Sequence, residues 1–273
     1  MALVGLVALG SGLFAGSAST LAAAPASGPA AEARPRPAAP GVLRVLFVHD
    51  DRSDFFAAEA GPKPGFEREM LEGFARIKGL KFEAVAVDSW EDIVPALEAG
   101  KGDVIAGHCT VTDQRLQHID FTDAVLPTRN VVMTRKPTPP ILLGKNLVKS
   151  RVGGVKGSAS YEAILDAGVP RAHIEEAVSQ QALLERLRAG KIDAIVRPAP
   201  LAIVTQRDDP SMELGMFIGP PSHFAWGVSK KNGELRTALN EHLDMMRRTG
   251  AWTRLVARYF GEASIAVLKK AQE

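Results

Sequence analysis

A single cysteine, Cys109, excludes an intramolecular disulfide. A lone buried thiol behaves as a small hydrophobe. No run of basic residues stands out either: 33 Lys and Arg against 31 Asp and Glu leave a net charge of +2, spread along the chain. That distribution offers no face for nucleic acid. Catalytic signatures are equally scarce. The chain contains no G-x-S-x-G, no P-loop, no H-E-x-x-H and no G-x-G-x-x-G after its first strand pattern. What is present is an ordinary globular composition, 46% hydrophobic and 23% charged over 273 residues, enough for one large or two medium domains.

Residues 2–23 carry no charge and end in small residues, with Ala22-Ala23-Ala24 before Pro25. This is the apolar core and small-residue end of a secretory signal, expected over residues 1–24. No Lys or Arg precedes the run, which leaves an uncleaved anchor as the alternative. Its many Gly, Ser and Ala residues suit a spanning helix poorly. Residues 25–40 are nearly all Ala, Pro, Gly and Ser and read as an extended linker. The expected destination is the periplasm.

From about Val42 onward, strand and helix patterns alternate. Leu43–His49 is β-branched and aromatic; Glu67–Lys78 sets Met70, Leu71, Phe74 and Ile77 at helical spacing before Gly79. Lys81–Val87 and Asp103–Ala106 read as strands around a helix over Trp90–Ala99. After the Pro-rich break Lys136–Pro140, the pattern repeats: strand Arg151–Val155, a helix from Tyr161, a minimal strand Ala177-Val178, helix Gln180–Ala189 and strand Ile192–Val196. Two stretches share a phrase, P-A-L-E-A-G-K-G-D-V-I at Pro95–Ile105 and E-R-L-R-A-G-K-I-D-A-I at Glu185–Ile195. This order predicts an α/β fold of two like lobes, each a mostly parallel sheet flanked by helices. Phe224–Ser229 set beside Asn130–Thr134 would give a two-strand hinge.

The segment Gly107–Asp123, G-H-C-T-V-T-D-Q-R-L-Q-H-I-D-F-T-D, has an order that core packing does not require. Arg115 supplies a planar fork of donors, and the Thr110 and Thr112 hydroxyls can fill the remaining lone pairs of a small carboxylate. His108-Cys109 is a poor metal or nucleophile pair, because neighbours on a strand point to opposite faces. No metal or cofactor is expected.

Four phrases carry a resemblance to the bacterial extracellular solute-binding proteins of family 3, over about residues 41–262. Gly65–Met70 resembles the family's G-F-[DE]-x-[DE]-[LM]; Trp90–Asp103 resembles W-x-x-[IL]-[IVP]-P-A-L-x-x-G-[KR]-x-D. Thr110–Phe121 resembles T-[IV]-T-x-x-R-x-x-x-[IV]-x-F, and Val155–Ser158 the G-V-x-x-G-[ST] loop of the second lobe. The resemblance implies a two-lobed, periplasmic-binding-protein-like receptor with its ligand in the cleft. It assigns lobe 1 to residues 41–135 and 223–262, lobe 2 to 136–222 and a C-terminal tail to 263–273. Arg115 falls on the carboxylate-binding Arg, His108 and Thr110 on ligand-touching positions, and Ser158 on the position that closes over the same carboxylate. Phe55 or Phe56 supplies an aromatic wall. One departure stands out: the family's acid for the ligand ammonium is replaced by Arg197-Pro198. Arg197 reads either as a pocket cation or as a solvated loop residue, and an ordinary amino-acid ligand is in question.

The expectation is therefore a monomeric binding protein, not an enzyme, that delivers a small carboxylate-bearing ligand to an ABC permease of the inner membrane. The alternative is a receptor-like accessory module that senses cell-wall fragments or partners a periplasmic enzyme. Membrane-bound lytic transglycosylases carry a similar lobe pair before a catalytic domain, and the 273 residues are expected to stop short of such a domain.

Overall fold

The structure, a computed structural model, describes residues 41–49, 54–262 and 264–272. The leader and linker expected over 1–40, and the residues Asp50 and Asp51, lie outside them. The first half runs β1 (Val42–Val48), α1 (Phe66–Ile77), β2 (Lys81–Val87), α2 (Ile93–Glu98), β3 (Val104–Ile105), α3 (Asp113–His118) and β4 (Ile119–Phe121). The chain continues through β5 (Leu126–Arg135), α4 (Gly144–Leu147), β6 (Val152–Val155), α5 (Ala159–Asp166), β7 (Ile174–Ala177), α6 (Gln180–Arg188) and β8 (Ala194–Pro198). It ends with α7 (Ala199–Asp208), β9 (Met212–Phe224), β10 (Gly227–Ser229), α8 (Gly233–Arg248), α9 (Ala251–Phe260) and α10 (Ser264–Lys270).

Two five-stranded sheets result, in the orders β2-β1-β3-β10-β4 and β7-β6-β8-β5-β9. The sheets are topological copies. In each, three strands pair in parallel and one reversed strand, β10 or β5, lies antiparallel to both of its neighbours. A parallel pair needs a crossover, and α1, α2, α5 and α6 supply them while covering the sheet faces. Helix α1 shows how the sequence does this. Phe66, Met70, Leu71 and Phe74 recur at helical spacing and are buried against Val45, Phe47 and Trp226. Gly65 precedes it with φ 106, where a Cβ would lie 2.5 Å from the Phe55 carbonyl carbon, so only glycine fits.

The chain passes from the first sheet to the second between β4 and β5 and returns between β9 and β10. The two crossings are tied together: Thr122 N–H donates to the Trp226 carbonyl (2.9 Å) and Val125 N–H to the Phe224 carbonyl (2.7 Å). Two expectations need correction here. Residues 126–135, assigned to lobe 1, pair within the second sheet. Phe224–Ser229 does not lie beside Asn130–Thr134; Asn130 pairs with Pro198 and Ile218 instead. The true partner, β9, is disguised by Gly219-Pro220-Pro221, which an edge strand tolerates because its outer N–H groups need no ladder.

The residues 263–273, expected as a tail, are also corrected over their described part. Helix α10 buries Leu268 and Ser264, and Gln272 Nε2 donates to the carbonyls of Thr128 (3.2 Å) and Ser222 (3.0 Å) on β5 and β9. Helix α7 bridges the halves as well, setting Leu201 and Val204 into the core beneath the first sheet. None of the helices among the described residues is long and apolar enough to cross a membrane.

Candidate ligand-binding site

Strand β3 is only two residues long, and it delivers the chain into a sharp turn. Gly107 has φ 83 and His108 φ 61, the latter a left-handed conformation that a side-chain-bearing residue adopts only when something holds it there. Glu67 of α1 does the holding. Its carboxylate accepts from Gly107 N–H (3.0 Å), His108 N–H (2.7 Å) and Trp226 Nε1 (3.1 Å). Burial pushes Glu67 up to about 7 even though all three donors pull the other way. Buried carboxylates are stabilised by such donors, each worth about 1.5–3 kcal/mol.

The turn sets His108 between aromatic rings, 5.1 Å from Trp90 and 5.5 Å from Phe55, centroid to centroid. Desolvation, then the charges of Arg197 and Arg115, lower His108 to about 3, so the imidazole is neutral near pH 7. Thr110 follows in an antiparallel bridge to Phe224 at the crossing, buried together with Arg115. Thr112 caps α3 by accepting from Arg115 N–H (3.3 Å), which aims the Arg115 side chain back across the turn. There Nη1 donates to the Thr110 carbonyl (2.9 Å) and to Cys109 Sγ (3.5 Å), and the guanidinium lies 4.9 Å over the Trp90 ring. Burial pushes the Cys109 thiol up, which suits packing rather than reactivity.

The second sheet contributes the opposite wall. Ser158 caps α5, accepting from Tyr161 N–H (3.2 Å) and donating to the Val155 carbonyl (2.6 Å). Ser160 donates to Asn130 Oδ1 (2.6 Å). These residues meet Trp90, His108, Thr110, Arg115, Gln180 and Leu201 around an interlobe pocket of about 20 Å³, room for little more than one water. The lobes are shut around it. Gly157, at φ 74, abuts Glu91 so closely that a Cβ would lie 2.5 Å from Glu91 Cγ, and Lys156 Nζ reaches Glu91 Oε1 at 3.2 Å. Openings of 430–480 Å³ adjoin on three sides, each sharing Trp90 or Arg115 with the pocket.

Four of the sequence-derived residues, His108, Thr110, Arg115 and Ser158, come together in this pocket. Two do not. Phe56 stacks on Phe47 (4.7 Å) inside the first core, because the turn after residue 54 tucks both rings beneath the sheet. Arg197 is fully buried behind the wall and donates to Thr205 Oγ1 of α7, so it is neither a pocket-lining cation nor solvated. Sequence reasoning overlooked Trp90, Glu67 and Gln180. The first two stand inside the G-F-E and W-x-x-I phrases, whereas nothing in the sequence marks Gln180.

Two lobes of identical topology, joined by paired crossings and meeting at a basic, hydroxyl-bearing pocket, define a two-lobed solute-binding protein. The family model for bacterial extracellular solute-binding proteins, family 3, matches residues 46–262, and the chain belongs to that family. A membrane-bound lytic murein transglycosylase F from Desulfosudis oleivorans is 26% identical over 221 residues, covering 79% of this chain and 48% of that relative. The chain thus spans about half the length of the curated relatives of that name. A probable histidine-binding protein from Neisseria gonorrhoeae is 24% identical over 252 residues, 89% of this chain and 92% of the relative. Among solved structures, an amino acid ABC transporter substrate-binding protein from Streptococcus pneumoniae bound to L-arginine superposes with a TM-score of 0.73. It is 21% identical and covers 82% of this chain and 96% of its own. The family is one of solute-binding proteins, which supports a binding role for this chain.

Proposed function

We propose that the chain is an extracytoplasmic receptor whose lobes close on a small carboxylate-bearing ligand and present it to an ABC permease. The observation that carries this reading is the convergence of Arg115, Thr110 and His108 from one lobe with Ser158 and Ser160 from the other around one pocket. Arg115 has a free face of its fork for the carboxylate, Thr110 completes the grip, and the first turn of α5 joins as the lobes shut. Because the ligand touches both walls, it favours a closed spacing wide enough to hold it, wider than the 20 Å³ of this shut pocket, over the open form, and that difference drives closure. The lobes divide at the crossings, with residues 41–125 and 225–262 in one and 126–224 in the other. The leader over 1–24 is cleaved, and the receptor works as a periplasmic monomer.

A second reading has one observation in its favour, the match to one half of the transglycosylase F relatives. In it, the same cleft senses a cell-wall fragment as an accessory module, without transport. A thermal-shift screen with amino acids, dicarboxylates and muropeptides separates the two. A ligand at a hundredfold excess over its Kd stabilises by about 2.7 kcal/mol. Shifts with small carboxylates support the receptor reading, shifts with muropeptides alone support the accessory one, and no shift with any of them contradicts both.

A further inference from the structure

The pocket holds one polar group that the protein leaves unanswered. Gln180 opens α6, and its side chain lines the pocket beside Arg115, Ser158 and Ser160. The residue is only 8% exposed, yet Oε1 is buried with no hydrogen-bond donor from the protein. Buried acceptors are nearly always satisfied, and an exception in a binding pocket points to a donor that arrives with the ligand.

The surroundings decide what kind of donor that is. Arg115 brings one guanidinium into the pocket, and Arg197 is buried behind the wall. Both charges disfavour a second cation: they already lower the proton affinity of His108. Among the described residues lining the pocket, none is acidic. Three carboxylates close by are engaged elsewhere, and Asp113, Glu162 and Asp166 line an adjoining opening rather than this pocket. Glu67 is occupied by three N–H donors at the back of the Gly107–His108 turn, Glu91 pairs with Lys156, and Glu176 accepts from the Tyr161 hydroxyl (2.5 Å). Where β8 reaches the wall, Pro198 has no N–H to offer. A charged ammonium would enter this positive field without a counter-charge, whereas a neutral donor carries no such cost.

We infer that the ligand is a carboxylic acid whose neighbouring substituent is an uncharged hydrogen-bond donor, a hydroxyl or an acylated nitrogen, accepted by Gln180 Oε1 while Arg115 takes the carboxylate. The inference rests on the carboxylate-receptor reading above and makes Gln180 the residue that sets specificity within it. Titration calorimetry with L-lactate, N-acetyl-L-alanine and L-alanine as probes tests it on the wild type, Arg115→Ala, Gln180→Leu and Gln180→Glu. The expected result is at least tenfold tighter binding of L-lactate or N-acetyl-L-alanine than of L-alanine. Gln180→Leu should weaken the preferred probe at least tenfold, and Gln180→Glu should reverse the order in favour of L-alanine. If L-alanine binds the wild type as tightly as the other two, and Arg115→Ala abolishes that binding, the inference falls while the receptor reading stands. An unchanged Kd in Gln180→Leu has the same meaning. If none of the three probes binds while the thermal-shift screen yields another small carboxylate, the inference falls and the reading stands; if that screen is blank as well, both are overturned.

Discussion

Glu67 is the residue on which the binding turn depends. Replacing it with Ala orphans three buried N–H groups, and the expected loss is about 3 kcal/mol or more in urea unfolding. Glu67→Gln should lose less, since its amide oxygen can still accept from Gly107 and Trp226 while its NH2 opposes His108 N–H. The pH dependence follows from two groups with opposite signs. Glu67 titrates at about 7 in the fold against an ordinary 4.5, so the folded state binds the extra proton and stability rises as pH falls from 7 to 4.5. His108 titrates at about 3 against an ordinary 6.5, so the unfolded state binds the extra proton and stability is lost as pH falls from 6.5 to 3. Each contributes a slope of at most about 1.4 kcal/mol per pH unit, moderated for His108 by its partial solvent access. The wild-type curve should therefore be nearly flat between 4.5 and 6.5 and fall below it. In Glu67→Gln the decline should begin already near 6.5, as unfolding midpoints against pH would report. At this scale the sequence was a partial guide. That Thr110 and Arg115 meet at one pocket was legible because both stand in one short phrase after the third strand. Phe56 and Arg197 were not, because whether a ring or a guanidinium faces the pocket or the core depends on tertiary packing.

At the scale of the element, the β6–α5 loop decides whether the lobes can meet. Gly157 combines φ 74 with direct contact against the Glu91 backbone, where a Cβ would lie 3.0 Å from the amide nitrogen. Gly157→Ala should strain the loop by about 1 kcal/mol and, more tellingly, block full closure. The expected outcome is a ligand Kd raised at least tenfold with a melting temperature of the free protein lowered by only a few degrees. The last helix, α10, makes a different prediction. Leu268 is buried at the junction with α7 and β5, and Leu268→Ala should cost about 2–4 kcal/mol, measurable by denaturant unfolding. Such loss is not expected of an unstructured tail. Strong periodicity made β1, α1 and α6 readable in advance. Helix α7 follows β8 without a loop, β9 carries two prolines on its open edge, and α10, at seven residues, is too short to show a periodic face. Local pattern reasoning has little hold on elements whose stability comes from neighbours distant in sequence.

Across the whole molecule, two sheets of the same order meet at a pocket whose polar groups come from both, with paired crossings and α10 fastening the hinge side. The doubled topology was legible in the shared A-G-K-x-D-x-I phrase, since each copy ends a helix and starts the strand that carries the chain to the cleft. Where the lobes divide was less so, because the crossing strands pair across hundreds of atoms of intervening fold. In the proposed receptor, binding is anchored on Arg115. Isothermal titration of the best carboxylate ligand into the wild type and into Arg115→Ala tests it most directly. The expected loss is about 2–5 kcal/mol, at least thirtyfold in Kd, as when one partner of a buried charge pair is removed. A Kd in Arg115→Ala within twofold of the wild type would contradict it.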